Sequence, residues 1–543
     1  MGLRRRSGTT ILFLLLSLII SSLSPTSTST TTSSPSSENS FLECLSTHFS
    51  SPTELSQVLS TQNTTSYTSI LQSSIQNLRF LSSPKHYPLF VITPTNESHI
   101  QASVICCRAH GIQLRARSGG HDYEGLSYTS EDPFEMVDLI NMRSVSVDIE
   151  EGTAWVQAGA TSGELYYRIA EKSLIHGFPA ALCPSVGIGG LIAGGGIGTM
   201  MRKFGLAADN ALDVRVVNSE GQILDRKSMG EDHFWALRGG GAASFGLILS
   251  WKIKLVPVPP KTTVFTVAKT LTEDLTRVVF RWQSMAEKCH ENLFIRVIIQ
   301  STSATGGNKT VQALFNALHL GDVDELLRVT GECFPELGLE AKDCTETTWV
   351  DAVMYIGSYP SGTSREALLS RENPMGKVSF KAKSDFVKQP ISEAGLAAIW
   401  KFFSEEVSGA MLWEPMGGRM AQISETELPF PHRKGNLYNV QYVAPLTNPK
   451  DVTKAMNWLN RLYRHMTVHV SRYPRASYLN YRDLDLGKNP KGNSNYFLSG
   501  IWGKKYFQGN YRRLALVKAQ VDKCNFFRNE QSVPPYSRSR TCP

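Results

Sequence analysis

No Cys-x-x-Cys pair and no cysteine–histidine cluster at zinc spacing occurs in this chain, so no metal site is expected. There is no G-x-x-x-x-G-K-[ST], no H-E-x-x-H and no G-x-S-x-G. P-loop phosphate binding, zinc proteolysis and serine-hydrolase chemistry fall away with them. The dinucleotide pattern G-x-G-x-x-G fails at its third glycine: Ile192 stands there after Gly187 and Gly189, and Thr199 after Gly194 and Gly196. No long Lys/Arg block exists, and a net charge of +8 is dispersed over 543 residues. A nucleic-acid partner is therefore not expected. Charged residues make up 19% and hydrophobic ones 41%, a globular composition with room for more than one domain. No internal repeat is found.

A comfortable membrane span is also missing. Arg4-Arg5-Arg6 precedes an apolar stretch at 11–20, broken only by Ser17 and followed by small polar residues. This is the layout of a secretion signal, placed at residues 1–27, with a signal anchor as the alternative. The Ser-, Thr- and Pro-rich stretch 21–40 reads as cleavage region and disordered lead-in. Sequons at Asn63, Asn96 and Asn308 agree with export. So do nine cysteines, which an oxidising compartment allows to pair. Spacing does not fix their connectivity, but an odd count leaves at least one for another use. Cys183, beside a glycine-rich turn, is the candidate.

Apolar periodicity predicts helical spacing over 41–81, a short strand at 87–94, a helix over 100–110, a strand at 113–117, further strands at 136–139 and 154–159, and a helix over 162–171. Strands are predicted at 211–217 and 246–255, the latter closed by Pro257, Pro259 and Pro260. From Lys261 the texture changes to alternating strands and long helices up to about Tyr473, as in a separate α+β layer. A long helix is predicted over 506–521.

What stands out is one histidine and one cysteine, each in its own glycine-rich stretch. His121 lies in Arg117-Ser118-Gly119-Gly120-His121-Asp122-Tyr123-Glu124-Gly125, and Cys183 opens Cys183-Pro184-Ser185-Val186-Gly187-Ile188-Gly189-Gly190, with Gly194-Gly195-Gly196-Ile197-Gly198 following. Glycines let a backbone approach a large flat or anionic ligand closely, and a reactive nitrogen and sulfur can then bond to it. A doubly tethered flavin needs this arrangement.

These loops, together with Trp235-Ala236-Leu237-Arg238-Gly239-Gly240-Gly241, Phe430-Pro431-His432-Arg433, Tyr478-Leu479-Asn480-Tyr481-Arg482-Asp483-Leu484-Asp485 and Asn525-Phe526-Phe527-Arg528-Asn529-Glu530-Gln531-Ser532, resemble the plant berberine-bridge-enzyme-like proteins of the vanillyl-alcohol-oxidase superfamily. The resemblance covers nearly everything after Phe41. It implies a two-part α+β fold. An FAD-binding PCMH-type domain at 84–260 follows N-terminal helices within 28–83, an α+β substrate domain spans 261–475, and residues 476–543 return to complete the FAD domain. It implies FAD bonded at its 8α carbon by His121 and at C6 by Cys183. Further cofactor contacts would come from Ser118, Gly119, Gly120, Gly125, Gly189, Gly190, Gly195, Gly196 and Asn480. A disulfide between Cys44 and Cys106 is implied as well.

The cofactor supplies the hydride chemistry, so the protein must place a substrate C–H bond and handle a proton. Tyr481 matches the family position often assigned as base, yet a phenol with pKa of about 10 is a poor base unless neighbours favour its phenolate. Arg482, next in sequence, would face the opposite side if this segment is a strand. Gln441 matches a position facing the substrate. Some relatives carry an acid there or at the Asn439 position, and monolignol-oxidising relatives carry lysine at the latter. Both are amides here, able to orient but not to accept a proton. Tyr123 is a second orienting group. Leu191 and Ile197 replace the histidine and aromatic residue usual in the family, so a more apolar wall is expected, suited to a hydrophobic or phenolic ligand. Val186 matches the oxygen-gating position and resembles the oxygen-reactive members. The reading is an exported oxidase, apoplastic or vacuolar, of a specialised metabolite, with molecular oxygen as oxidant and hydrogen peroxide as coproduct. The alternatives are a non-redox cyclase that holds two partners in a reactive pose on the same scaffold, and a binding protein without turnover.

Overall fold

The computed structural model describes residues 35–81, 87–303, 307, 309–491 and 495–536. The expected signal at 1–27 and the sequon at Asn308 lie outside the described residues.

Three sheets carry the architecture. The first contains β1 (Leu59–Thr61), β2 (Phe90–Ile92), β3 (Gln113–Arg117) and β4 (Phe134–Asp138) in the order β1-β2-β4-β3. Strands β2 and β3 run parallel to β4, and parallel neighbours need a crossover. Between β2 and β3 the chain passes through the helix Glu97–Ala109, started by Asn96, whose side chain accepts from the His99 amide, and between β3 and β4 through the loop that carries His121. The second sheet contains β5 (Val145–Asp148), β6 (Thr153–Gln157), β8 (Ala211–Val217), β9 (Ile223–Leu224) and β10 (Leu247–Lys254), in the order β5-β6-β10-β8-β9. A short ribbon joins β7 (His176–Gly177) to β11 (Val256–Pro257).

The third sheet has the order β15-β12-β14-β13-β17-β18-β16. It is built from β12 (Thr262–Thr270), β13 (Leu293–Ser303), β14 (Lys309–His319), β15 (Cys344–Thr347), β16 (Phe380–Val387), β17 (Ala410–Pro415) and β18 (Tyr438–Pro445). Its pairs are antiparallel. Side chains alternate between its faces. Met411 and Trp413 of β17 and Val440 and Tyr442 of β18 enter a core under the helices Leu275–Met285 and Val452–His465, which present Val278, Trp282, Trp458 and Leu462. The intervening Leu412, Glu414, Gln441 and Val443 face a cavity.

The C-terminal segment packs back on the first two sheets: Trp502, Tyr506, Leu514 and Val517 share a core with Trp251 and Val216. The same core takes Trp349, Val353 and Leu368 from the middle of the chain, so the two parts are sutured rather than cleanly divided. Cys44 is disulfide-bonded to Cys106, and Cys289 to Cys333. Cys183 carries a free thiol. No described helix is long and apolar enough to cross a membrane.

Three expectations are corrected. A helix, Pro35–His48, begins inside the expected disordered lead-in, because Phe41 and Leu45, one turn apart, bury fully in the first core. Within the helical spacing of 41–81, Leu59–Thr61 is a strand, captured at the sheet edge by β2. The helix expected over 506–521 is two, Tyr496–Phe507 and Tyr511–Val521. The backbone breaks between them at Gln508, which has φ 46°.

Candidate active site

The site is a cavity of about 510 Å³ between the glycine loops and the third sheet. The register of β3 on β4 sets Arg117 opposite Asp138. Both are fully buried, and their ion pair of 2.6 Å fixes the strand end from which the His121 loop departs. That loop interlocks with the Cys183 loop. A Cβ on Gly119 would overlap the Gly187 backbone nitrogen, and one on Gly187 would overlap Ser118 Oγ. Gly120, at φ +70°, lies against the Ser74 carbonyl with no room for a side chain. Only glycine permits this approach.

The interlock brings the two reactive groups together. His121 Nε2 lies 3.0 Å from Ser185 Oγ, and Cys183 Sγ lies 3.3 Å from the same hydroxyl. Burial holds His121 well below the usual imidazole range, at about 4, so the ring is neutral and one nitrogen keeps its lone pair. Ser118, Gly119, Gly120, Gly189, Gly190, Val186 and Asn480 line the cavity with them. Gly125, Gly195 and Gly196 stand behind the lining, where positive φ angles of 72°, 117° and 83° shape the turns. Asn480 ties the C-terminal segment to this wall, its Nδ2 donating to the Leu191 carbonyl at 3.0 Å. The buried Gln76 Oε1 and Arg482 Nη1 have no hydrogen-bond partner among the described residues, and both residues line the cavity. Buried polar atoms normally find partners. A large ligand with polar edges satisfies these, and a flavin nucleotide has that shape and edge chemistry.

The opposite wall comes from the third sheet. Gln441 Nε2 donates to Tyr123 Oη at 2.5 Å, and the Tyr123 ring stacks on Tyr481, centroids 5.5 Å apart and planes 10° off parallel. Phe380 meets Tyr123 edge-on. Tyr481 does not lie on a strand but in a turn, its amide donating to the Tyr478 carbonyl. Arg482 is consequently not turned to the opposite face. It lines the cavity too and donates from Nε to Asp122 at 3.1 Å.

One residue of this wall was not anticipated. Glu414 of β17 receives the Tyr481 hydroxyl at 3.1 Å to each carboxylate oxygen. It is 2% exposed, and burial pushes its carboxyl up to about 7, partly offset by Arg296 and the Tyr481 bond. Burial, and then the charge of Glu414, pushes the Tyr481 and Tyr123 phenols upward, so both stay protonated at neutral pH. Leu191 and Ile197 lie on the wall, but the cavity as a whole carries an acid. Asn439 is not on the lining: it is fully buried and donates to the Asp385 carbonyl. A lone carboxylate in the run Met411-Leu412-Trp413-Glu414-Pro415 was the available signal, because an acid inside an apolar strand is rarely idle.

A family model for an FAD binding domain matches residues 88–226, and one for berberine and berberine-like proteins matches 477–534. Berberine bridge enzyme-like 26 of Arabidopsis thaliana is 51% identical over 92% of this chain and 94% of its own length. The tetrahydroberberine oxidase of Berberis wilsoniae is 50% identical, with the same coverages. The monolignol oxidoreductase AtBBE-like 13 of Arabidopsis thaliana is also 50% identical, over 92% of this chain and 93% of its own. The chain belongs to the berberine bridge enzyme-like family of FAD-linked oxidoreductases. Solved structures agree with it. The Bermuda grass isoallergen BG60 superposes with a TM-score of 0.86 at 45% identity, over 91% of this chain and all (100%) of that one. The grass pollen allergen Phl p 4, with glucose dehydrogenase activity, gives 0.86 at 41% identity, over 91% of this chain and 99% of its own. A variant of it that exchanges one isoleucine for valine, a glucose oxidase, gives 0.86 at 41% identity over 92% and 100%. FAD is thus the cofactor that the matched binding domain and the family support.

Proposed function

We propose that the protein is an exported oxidase that uses doubly tethered FAD to oxidise an aromatic or otherwise hydrophobic plant metabolite at a carbon bearing a hydroxyl or amine, returning the electrons to oxygen as hydrogen peroxide. The carrying observation is the convergence of His121 and Cys183 on one serine hydroxyl, in the cavity that also holds Tyr481. His121 would bond the flavin 8α carbon and Cys183 its C6. Bound FAD would supply the hydride acceptor, N5.

The chain's own residues do the rest. Phe380, Ile197 and Leu412 give apolar surface for an aromatic substrate. Tyr123, held by Gln441, fixes its orientation, and the Tyr481 hydroxyl stands beside it. The relatives named for tetrahydroberberine and monolignol support a substrate of this class. Val186 supports oxidase behaviour, as does the pollen relative whose isoleucine-to-valine variant is a glucose oxidase. The disulfides and the exposed sequons at Asn63 and Asn96 support passage through the secretory pathway.

Purified holoenzyme from a eukaryotic secreting host, offered coniferyl alcohol, tetrahydroberberine and glucose, tests this. Peroxide release with an aromatic substrate but not with glucose is expected. Val186→Leu should slow flavin reoxidation by oxygen in stopped flow while sparing reduction. Equal reoxidation rates remove the gating role. Conversion without hydrogen loss would replace the oxidase with a cyclase.

A further inference from the structure

The oxidase reading leaves a proton without a destination. Gln441 is an amide and cannot take one. Tyr481 is half-buried on the cavity wall, and its phenol is held well above the ordinary range by desolvation and by Glu414, so no phenolate waits for the substrate. General bases act best when their proton affinity lies near the working pH, and one group in the cavity meets that condition. Glu414 turns both oxygens to the Tyr481 hydroxyl at 3.1 Å. The groups facing it come from several elements. Arg296 projects from β13, Tyr478 and Tyr481 from the C-terminal turn, and Tyr123 from the His121 loop. The Arg296 guanidinium is engaged elsewhere, with Asn316 Oδ1 at 2.8 Å and the Ile356 carbonyl at 3.1 Å. It moderates the carboxylate without the close contact that would lock it in an ion pair.

We propose that Glu414 is the terminal proton acceptor of the reaction, taking the phenolic proton of Tyr481 as Tyr481 takes the proton of the substrate hydroxyl or amine. The relay moves protons only. The substrate O–H or N–H bond breaks as a new Tyr481 O–H bond forms, the original Tyr481 O–H bond breaks, and a Glu414 O–H bond forms. Tyr481 ends as it began, a neutral phenol, and Glu414 passes from carboxylate to acid. β17 thereby supplies the acid that its neighbour β18 lacks at Gln441 and Asn439.

The inference rests on the oxidase reading, and two measurements on the holoenzyme separate the two. Infrared spectra of wild type minus E414Q, recorded without substrate, should isolate a buried carboxylic acid band that disappears as pH rises through about 7, with the Glu135 band common to both. Because the Tyr481 bond lowers the proton affinity of Glu414, Y481F should move that midpoint upward. A carboxylate already ionised well below neutrality, or a midpoint that Y481F leaves in place, overturns the proposal while the oxidase reading stands. Stopped-flow flavin reduction by coniferyl alcohol should fall by about 10²-fold or more in E414Q above neutrality. The variant should keep its flavin content and lose the acid limb of the pH profile, and E414D should restore part of the rate with a limb. An unchanged limb in E414Q overturns the relay. Wild-type enzyme that no aromatic substrate reduces overturns the oxidase reading, and the infrared titration still decides the pairing.

Discussion

The two walls of the cavity are made by different rules. The loop wall is local: His121 and Cys183 sit in short glycine-rich runs whose missing side chains let one loop press into the other. The sheet wall is assembled from far apart. Glu414 and Tyr481 are separated by 67 residues and Tyr123 and Gln441 by 318; the pairing of β17 with β18 sets Glu414 and Gln441 on one face, and a turn and a loop deliver the two tyrosines to it. A wall that must hold a cofactor is constrained at the backbone, whereas one that must fit a substrate is constrained at a few side chains on a sheet that tolerates others. The loop wall is therefore written in consecutive residues, and the sheet wall only in the assembled fold.

The largest effect expected is on the loop wall. In wild-type protein the yellow colour should stay with the acid-precipitated pellet. It should survive in H121A or C183A as a single attachment and wash out of the double variant. Colour that washes out of the wild type would remove the tether from the loop wall and leave a flavin held by shape alone. The seam between the walls comes next. Lys381 of β16 is buried against Glu124 of the His121 loop and, at 2.7 Å, against Asp483 beside Tyr481. Removing one partner of such a cluster leaves buried charge uncompensated. Lys381→Met should cost about 3 kcal/mol, read as a lower denaturation midpoint, and should raise flavin fluorescence as the walls part. Unchanged stability would show that Arg79 and Lys383, which also contact these acids, carry the seam alone.

Much of this is legible in the residues themselves. The strand at 113–117, the helix at 162–171 and the strand at 211–217 lie where apolar periodicity predicts them, to within a residue. The glycine loops are legible because the need for absent side chains is written in the residues themselves. Glu414 was not, since its meaning depends on a phenol delivered by a distant turn. The expectation for Arg482 failed for a related reason: it assumed a strand where Tyr481 folds back on Tyr478. Asn439 and Gln441 share a strand face, but Asn439 lies at a point where that face is already covered by backbone from β16.

A finer contrast is between two buried acids. Glu135 on β4 faces Ser103 and Cys107 in a closed core, and burial pushes its carboxyl up to about 7; Glu414 reaches the same value beside an open cavity. In both, the folded state holds a proton that the unfolded chain has released, so each favours folding most below the ordinary value of 4.5. That contribution is lost as pH rises toward 7, at about 1.4 kcal/mol per pH unit. E135Q and E414Q should both gain thermal stability relative to wild type across this window and run parallel to it above. Only E414Q should alter the rate of flavin reduction, because only Glu414 has a phenol and a substrate space to exchange protons with. If E135Q slowed reduction as much, burial would be acting through the fold, and the sheet wall would lose its claim to the chemistry.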